Sequence, residues 1–168
     1  MRKCIFYLII TLFLISCSSV NDSIHQEQYI SVTLTYEDSV ETLKIVDNTF
    51  LQGQGATYSV NSDITIINLI DLTADKPIGL NISFKGQATG EYDWTILHSS
   101  YLMTINKNNL VYSLITISGQ TNLTKYGAVD GRVEGNFDGI VFDTSSRDTL
   151  NVIGEFSVRR QKDFNPDL

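Results

Sequence analysis

Cysteine, proline, histidine and tryptophan are nearly missing from this chain. Of its 168 residues, two are Cys, two Pro, two His and one Trp. Cys4 and Cys17 both fall near the start, so the remaining sequence has no thiol. A disulfide framework or a cysteine metal site cannot form there. His25 and His98 stand apart with no HExxH spacing, which argues against zinc. No apolar i, i+3, i+4 stripe of useful length appears after position 28, so parallel βαβ units lack their crossover helices. Basic residues are also scarce, with 12 Lys and Arg against 19 Asp and Glu, a net charge of −7. That balance repels phosphate-rich surfaces and leaves no nucleic-acid footprint.

What is present begins with Arg2 and Lys3, followed by an apolar run from Cys4 to Ile15. The run stops at Ser16, short of the 18–20 or so apolar residues that a spanning helix needs. Positive start, short apolar core and small residue before a cut describe a secretory signal over residues 1–16. The tetrad Leu14-Ile15-Ser16-Cys17 resembles a bacterial lipobox, whose cysteine thiol receives a diacylglycerol and becomes the mature N-terminus. The resemblance implies cleavage before Cys17, a lipid on Cys17, and a membrane contact made through that lipid. It places the protein in the cell envelope, with the outer membrane preferred. Loss of Arg2 and Lys3 leaves 10 basic against 19 acidic residues, a net charge near −9. Residues 17–27 are polar and aperiodic and read as a flexible tether.

From Gln28 the period becomes two. Ile30, Val32, Leu34 and Tyr36 alternate with Ser31, Thr33 and Thr35, the pattern of a half-buried strand. Further strands are expected over Val40–Val46, Tyr58–Val60, Ile64–Leu72, Ile78–Phe84, Glu91–Leu97, Tyr101–Ile105 and Leu110–Ile117, the last ending at Gly119. Two segments then repeat a pattern, Val133-Glu134-Gly135-Asn136-Phe137 and Val152-Ile153-Gly154-Glu155-Phe156. Val133, Gly135, Phe137, Gly139 and Val141 share one strand face, as do Val152, Gly154, Phe156 and Val158. Asp143 to Asp148 joins them, so adjacent strands are expected, with glycines making room for a ring or a bulge. Short strands punctuated by turns predict an all-β, antiparallel β-sandwich, Ig-like or jelly-roll-like, over residues 28–162, with a tail at 163–168.

Gly90-Glu91-Tyr92, Ile115 to Gly119, Leu123-Thr124-Lys125-Tyr126-Gly127, Val133 to Gly139 and Gly154 to Arg159 occur in that order. This succession resembles a family of uncharacterised lipoproteins from Bacteroidetes-type bacteria, over roughly residues 88–160. The resemblance implies a secreted all-β domain and carries no catalytic residues. Residues 28–87 lie outside it and are expected to supply the other sheet. Asp22-Ser23-Ile24, Asp38-Ser39-Val40 and Asp148-Thr149-Leu150 resemble the O-glycosylation motif of those bacteria.

Candidate chemistry is sparse. Tyr92 and Trp94 share a strand face with Ile96, which fits core packing or, as an alternative, a stacking surface for sugar rings. Asp138 with Asp143, or Glu91 with Asp93, could form a hydrolase pair, yet no Gly-x-Ser-x-Gly elbow accompanies a nucleophile. Asp130, Asp138, Asp143 and Asp148 offer calcium-type oxygens without the Asp-x-Asp-x-Asp-Gly loop. The expected protein is therefore a non-catalytic interaction or structural domain without cofactor or metal. Its partner would be an envelope protein or a glycan, with Tyr92 and Trp94 as the glycan site and a hydrolase as the remaining option.

Overall fold

The computed structural model describes residues 27–37, 39–47, 53–71, 78–94, 102–107, 110–144 and 146–165. The signal segment, Cys17, residues 18–26 and both histidines lie outside the described residues. The strands are β1 (Gln28–Thr35), β2 (Val40–Asp47), β3 (Gly55–Ser59), β4 (Ile64–Asp71) and β5 (Ile78–Lys85). They continue as β6 (Gly90–Asp93), β7 (Leu102–Lys107), β8 (Leu110–Tyr126), β9 (Arg132–Asp143) and β10 (Thr149–Arg159). No helix occurs among the described residues. The larger sheet runs β2-β1-β10-β9-β8-β6, with β7 beside the first part of β8 and β6 beside its later part. Strands β3-β4-β5 form the smaller sheet. All these pairings are antiparallel, and the two sheets pack on each other as an all-β sandwich.

Alternation produces the core. Ile30, Val32 and Leu34 of β1, Leu43 and Ile45 of β2, and Val152, Phe156 and Val158 of β10 are buried on one face. Ile67 and Leu69 of β4 and Leu80, Ile82 and Phe84 of β5 oppose them. Strand β1 does not belong to the smaller sheet, contrary to the expectation for residues 28–87. It pairs with β10, setting Ile30 beside Phe156, Val32 beside Gly154 and Leu34 beside Val152. Among the described strands, β3, β4 and β5 build the opposing layer. The last strand thus lies inside the larger sheet, where β1 and β9 take up both of its hydrogen-bonding edges.

The repeated Val-x-Gly-x-Phe segments are neighbours, as expected, and their glycines have a physical reason. Register places Phe137 opposite Gly154 and Phe156 opposite Gly135. A β-carbon on Gly135 would stand 2.8 Å from the tip of the Phe156 ring, and one on Gly154 would overlap the Phe137 ring. Trp94 repeats the arrangement over Gly119 and Gly139, each of whose β-carbons would stand 2.5 Å from the indole. Gly119 therefore does not end its strand. Strand β8 continues through it to Tyr126, because the missing side chain admits the Trp94 ring. The rings also meet one another, Trp94 to Phe137 at 6.3 Å and Phe137 to Phe156 at 6.5 Å between centroids.

Beyond β10 the chain crosses to the smaller sheet. Arg160 bridges Ala56 and Phe164 bridges Ser59, both parallel to β3. The Gln161 amide donates to the Ala56 carbonyl at 2.7 Å and that of Phe164 to Tyr58 at 2.8 Å. Phe164, expected in the tail, is thus fastened to β3, and Asp163 pairs with Arg160. Buried Gln28 closes the same end. Its amide nitrogen donates to Asp47 at 3.2 Å, and its oxygen accepts from the Arg159 backbone at 2.7 Å. Arg132 donates to the Glu27 carbonyl at 2.8 Å and to that of Ser157 at 3.2 Å. Burial pulls the Arg132 guanidinium below its ordinary pKa, yet a guanidinium remains charged.

Phe137→Ala is expected to cost about 3–5 kcal/mol in urea unfolding, through lost burial and the cavity left behind. Gly154→Ala should cost about 1–3 kcal/mol, because its methyl displaces the same ring. In the double variant the ring is absent and the methyl still meets the Ser31 carbonyl, at 2.6 Å, so the two losses should fall short of additive by the share of the Gly154→Ala cost that the ring imposes, about 1 kcal/mol. Additive losses would show that ring and glycine do not interact.

Candidate functional site

Trp94 and Tyr92 are both turned to structural use. Trp94 is 6% exposed, its indole nitrogen donating to Thr121 Oγ1 at 2.9 Å and its backbone to the Gly119 carbonyl at 2.8 Å. Tyr92 is half-buried against Phe84, with ring centroids 5.0 Å apart, and its hydroxyl donates to the Ala88 carbonyl at 2.5 Å. Glu91 and Asp93 face outward from the same strand. Trp94 therefore offers no face on which a sugar could stack.

The acidic residues do not converge either. Asp138 is exposed and Asp143 is 1% exposed, on opposite faces of β9, so they cannot share a substrate. Asp143 organises its own loop, accepting from Ser146 Oγ at 3.0 Å. Asp130 is paired with Arg159. Among the described residues no group of three or more His, Cys, Asp or Glu is placed to hold a metal.

The candidate site lies elsewhere, at the pole where β1 ends and β10 begins. There the β1–β2 and β9–β10 turns flank a cleft of roughly 430 Å³, lined by Tyr36, Glu37, Ser39, Arg147, Asp148, Thr149 and Leu150. That volume falls within the range of about 300–1,000 Å³ usual for small-molecule sites. The Tyr36 amide donates to the Ser39 carbonyl at 2.8 Å, closing one turn. The Asp143 amide donates to the Asp148 carbonyl and the Arg147 amide to the Asp143 carbonyl, both at 2.8 Å, closing the other. Tyr36 and Leu150 root the cleft in the core, while Glu37, Ser39, Arg147, Asp148 and Thr149 are exposed. Ser39 and Thr149 belong to two of the three Asp-Ser/Thr triplets singled out in the sequence, and the fold brings them to one cleft. Ser23, in the third, lies outside the described residues.

Arg147 is the unusual member. Among the described residues, three other than glycine have positive φ: Asp63 at 54°, Asp130 at 69° and Arg147 at 65°. Aspartate is common in this left-handed region, whereas arginine meets the full steric cost of about 1–2 kcal/mol. Strain at an arginine in a cleft is an indication of function. A second groove of roughly 340 Å³ crosses the outer face of the larger sheet near the opposite pole, lined by Tyr29, Glu134, Asn136, Glu155 and Ser157 among others. Its Glu134 is already engaged with Lys125 at 3.4 Å.

Comparison with known protein families, curated proteins and solved structures finds no match to this chain. Among the described residues no helix is long and apolar enough to cross a membrane.

Two measurements check this geometry. Iodide should leave the emission of Trp94, the single tryptophan, nearly unquenched in the folded protein, and strong quenching would place the indole at the surface. Arg147→Gly should raise stability by about 1 kcal/mol or more, since glycine adopts the left-handed turn without strain. A loss of stability in urea unfolding would show that the arginine side chain supports the loop.

Proposed function

We propose that this chain is a cell-envelope lipoprotein, held at a membrane through lipid on Cys17, whose sandwich acts by binding rather than by catalysis. The lipobox-like tetrad Leu14 to Cys17 supports the anchor, and the polarity of the domain supports the display role. The chain enters at Glu27 and Gln28, where Arg132 and Asp47 grip it, while the β1–β2 and β9–β10 turns stand at the other end of β1. Eight strand residues separate the poles by about 25 Å. Residues 17–26 reach at most about 36 Å from the lipid, so the domain stays near its membrane, with the turns at the pole opposite the tether's attachment. An outer-membrane location and an envelope protein or glycan as partner complete the reading.

Labelled palmitate should enter the wild-type protein and not Cys17→Ala, which should also retain its signal segment. Each buried methylene contributes about 0.8 kcal/mol, so a multiply acylated chain partitions into the detergent phase of a cloud-point separation. Wild-type protein that takes up no label and stays in the aqueous phase would overturn the anchor.

A further inference from the structure

We infer that the cleft between the β1–β2 and β9–β10 turns is a binding site for a neutral saccharide, with Arg147 as its principal donor. The inference rests on the display role proposed above, because it names what the pole opposite the tether carries.

The lining decides the ligand class. A largely apolar ligand would strip water from these groups without replacing its hydrogen bonds, since five of the six polar lining residues, Glu37, Ser39, Arg147, Asp148 and Thr149, are exposed and charged or hydroxylated. An anion would meet one guanidinium beside two carboxylates, on a chain of net charge −7. A neutral, polyhydroxylated ring satisfies all of them together. Each carboxylate accepts from neighbouring hydroxyls, and the planar guanidinium donates to ring and hydroxyl oxygens through up to five N–H groups. Tyr36, half-buried at the base against the core, adds an aromatic surface to the otherwise polar lining.

Arg147 supplies the second, independent argument. Its backbone amide closes the turn onto Asp143, a role that any residue with an N–H fills and that glycine fills without strain. The turn's backbone bond therefore does not call for an arginine side chain. Arg147 stands in the left-handed region and lines the cleft together with Glu37 and Asp148. An exposed arginine that disfavours its own loop and lines a cleft has the character of a binding group. Strain tolerated at such a site is the usual trade between stability and function.

The test is calorimetric titration of the detergent-solubilised full-length chain, in a detergent without sugar headgroups. The probes are tetramers of glucose, mannose, galactose and N-acetylglucosamine, with a galacturonate tetramer as the anionic counterpart. Saturable heat is expected from at least one neutral tetramer. Arg147→Gly should weaken that binding about tenfold or more while raising the thermal midpoint, and Asp148→Asn should weaken it with the midpoint unchanged. Lys85→Ala, outside the cleft, should bind as the parent does. Silence from every neutral tetramer up to about 10 mM overturns the inference, a regime in which affinity falls below roughly 3 kcal/mol. So does binding of galacturonate alone, full affinity in Arg147→Gly, or a lowered midpoint in that variant. Covalent hexose on Ser39 or Thr149, seen by intact mass of the native protein, would make the cleft an attachment point and also overturn it. The titration is indifferent to lipidation, so sugar binding without palmitate labelling would remove the anchor alone.

Discussion

Aromatic rings lying on glycines hold the larger sheet to its register. A glycine within a strand costs about 0.5–1 kcal/mol against alanine and leaves a gap in the pleated face. Here the gap is filled across the strand: Phe137 covers Gly154, Phe156 covers Gly135, and Trp94 covers Gly119 and Gly139. A slip of β9 by one residue would carry Phe137 and Gly135 together to the solvent face, uncovering Gly154 and leaving Phe156 with no glycine to lie on. The reciprocal pairing therefore fixes β9 against β10, and through β10 it sets the position of β1. The same rings form the floor on which the smaller sheet packs, so the second layer inherits its placement from them.

A polar network fastens the sheets where the rings end. Arg160 lies over the Tyr126 ring at 4.9 Å and pairs with Asp163, while the Tyr126 hydroxyl meets Thr65 Oγ1 at 3.1 Å. Tyr58 donates to Asp63 at 2.8 Å, and that carboxylate chiefly raises the Tyr58 pKa, keeping the phenol neutral and able to donate. These groups join β3 and β4 to the end of β8 and to the segment after β10. Hydrogen bonding and charge pairing therefore take over at the edge where apolar area runs out.

Much of the larger sheet was legible in the sequence. The period of two in β1 and the matched Val-x-Gly-x-Phe segments each identify an inner face, because burial on one side of a strand is a local pattern. Ranking core packing above sugar stacking for Trp94 rested on the same reasoning, from its apolar neighbour Ile96. Gly119 misled for an equally physical cause: glycine marks a turn or a close approach, and only the Trp94 ring above it distinguishes the two. The cleft was not legible. Tyr36 and Arg147 are far apart in sequence, and the left-handed backbone of Arg147 is set by the closing hydrogen bonds of its loop. The Asp-Ser/Thr triplets marked two of its residues without revealing that they meet.

The bond between Gln28 and Arg159 spans 131 residues, and β1 hydrogen-bonds along its length to β10. The first strand to emerge from a ribosome or a translocation pore thus has β2 as its early neighbour and waits for its other one until almost the whole chain has followed. Loop closure over such a distance is slow, and the larger sheet cannot complete itself on a partial chain. Completion therefore waits until the last strand arrives between β1 and β9, and a chain that was exported as proposed above would remain threadable until then.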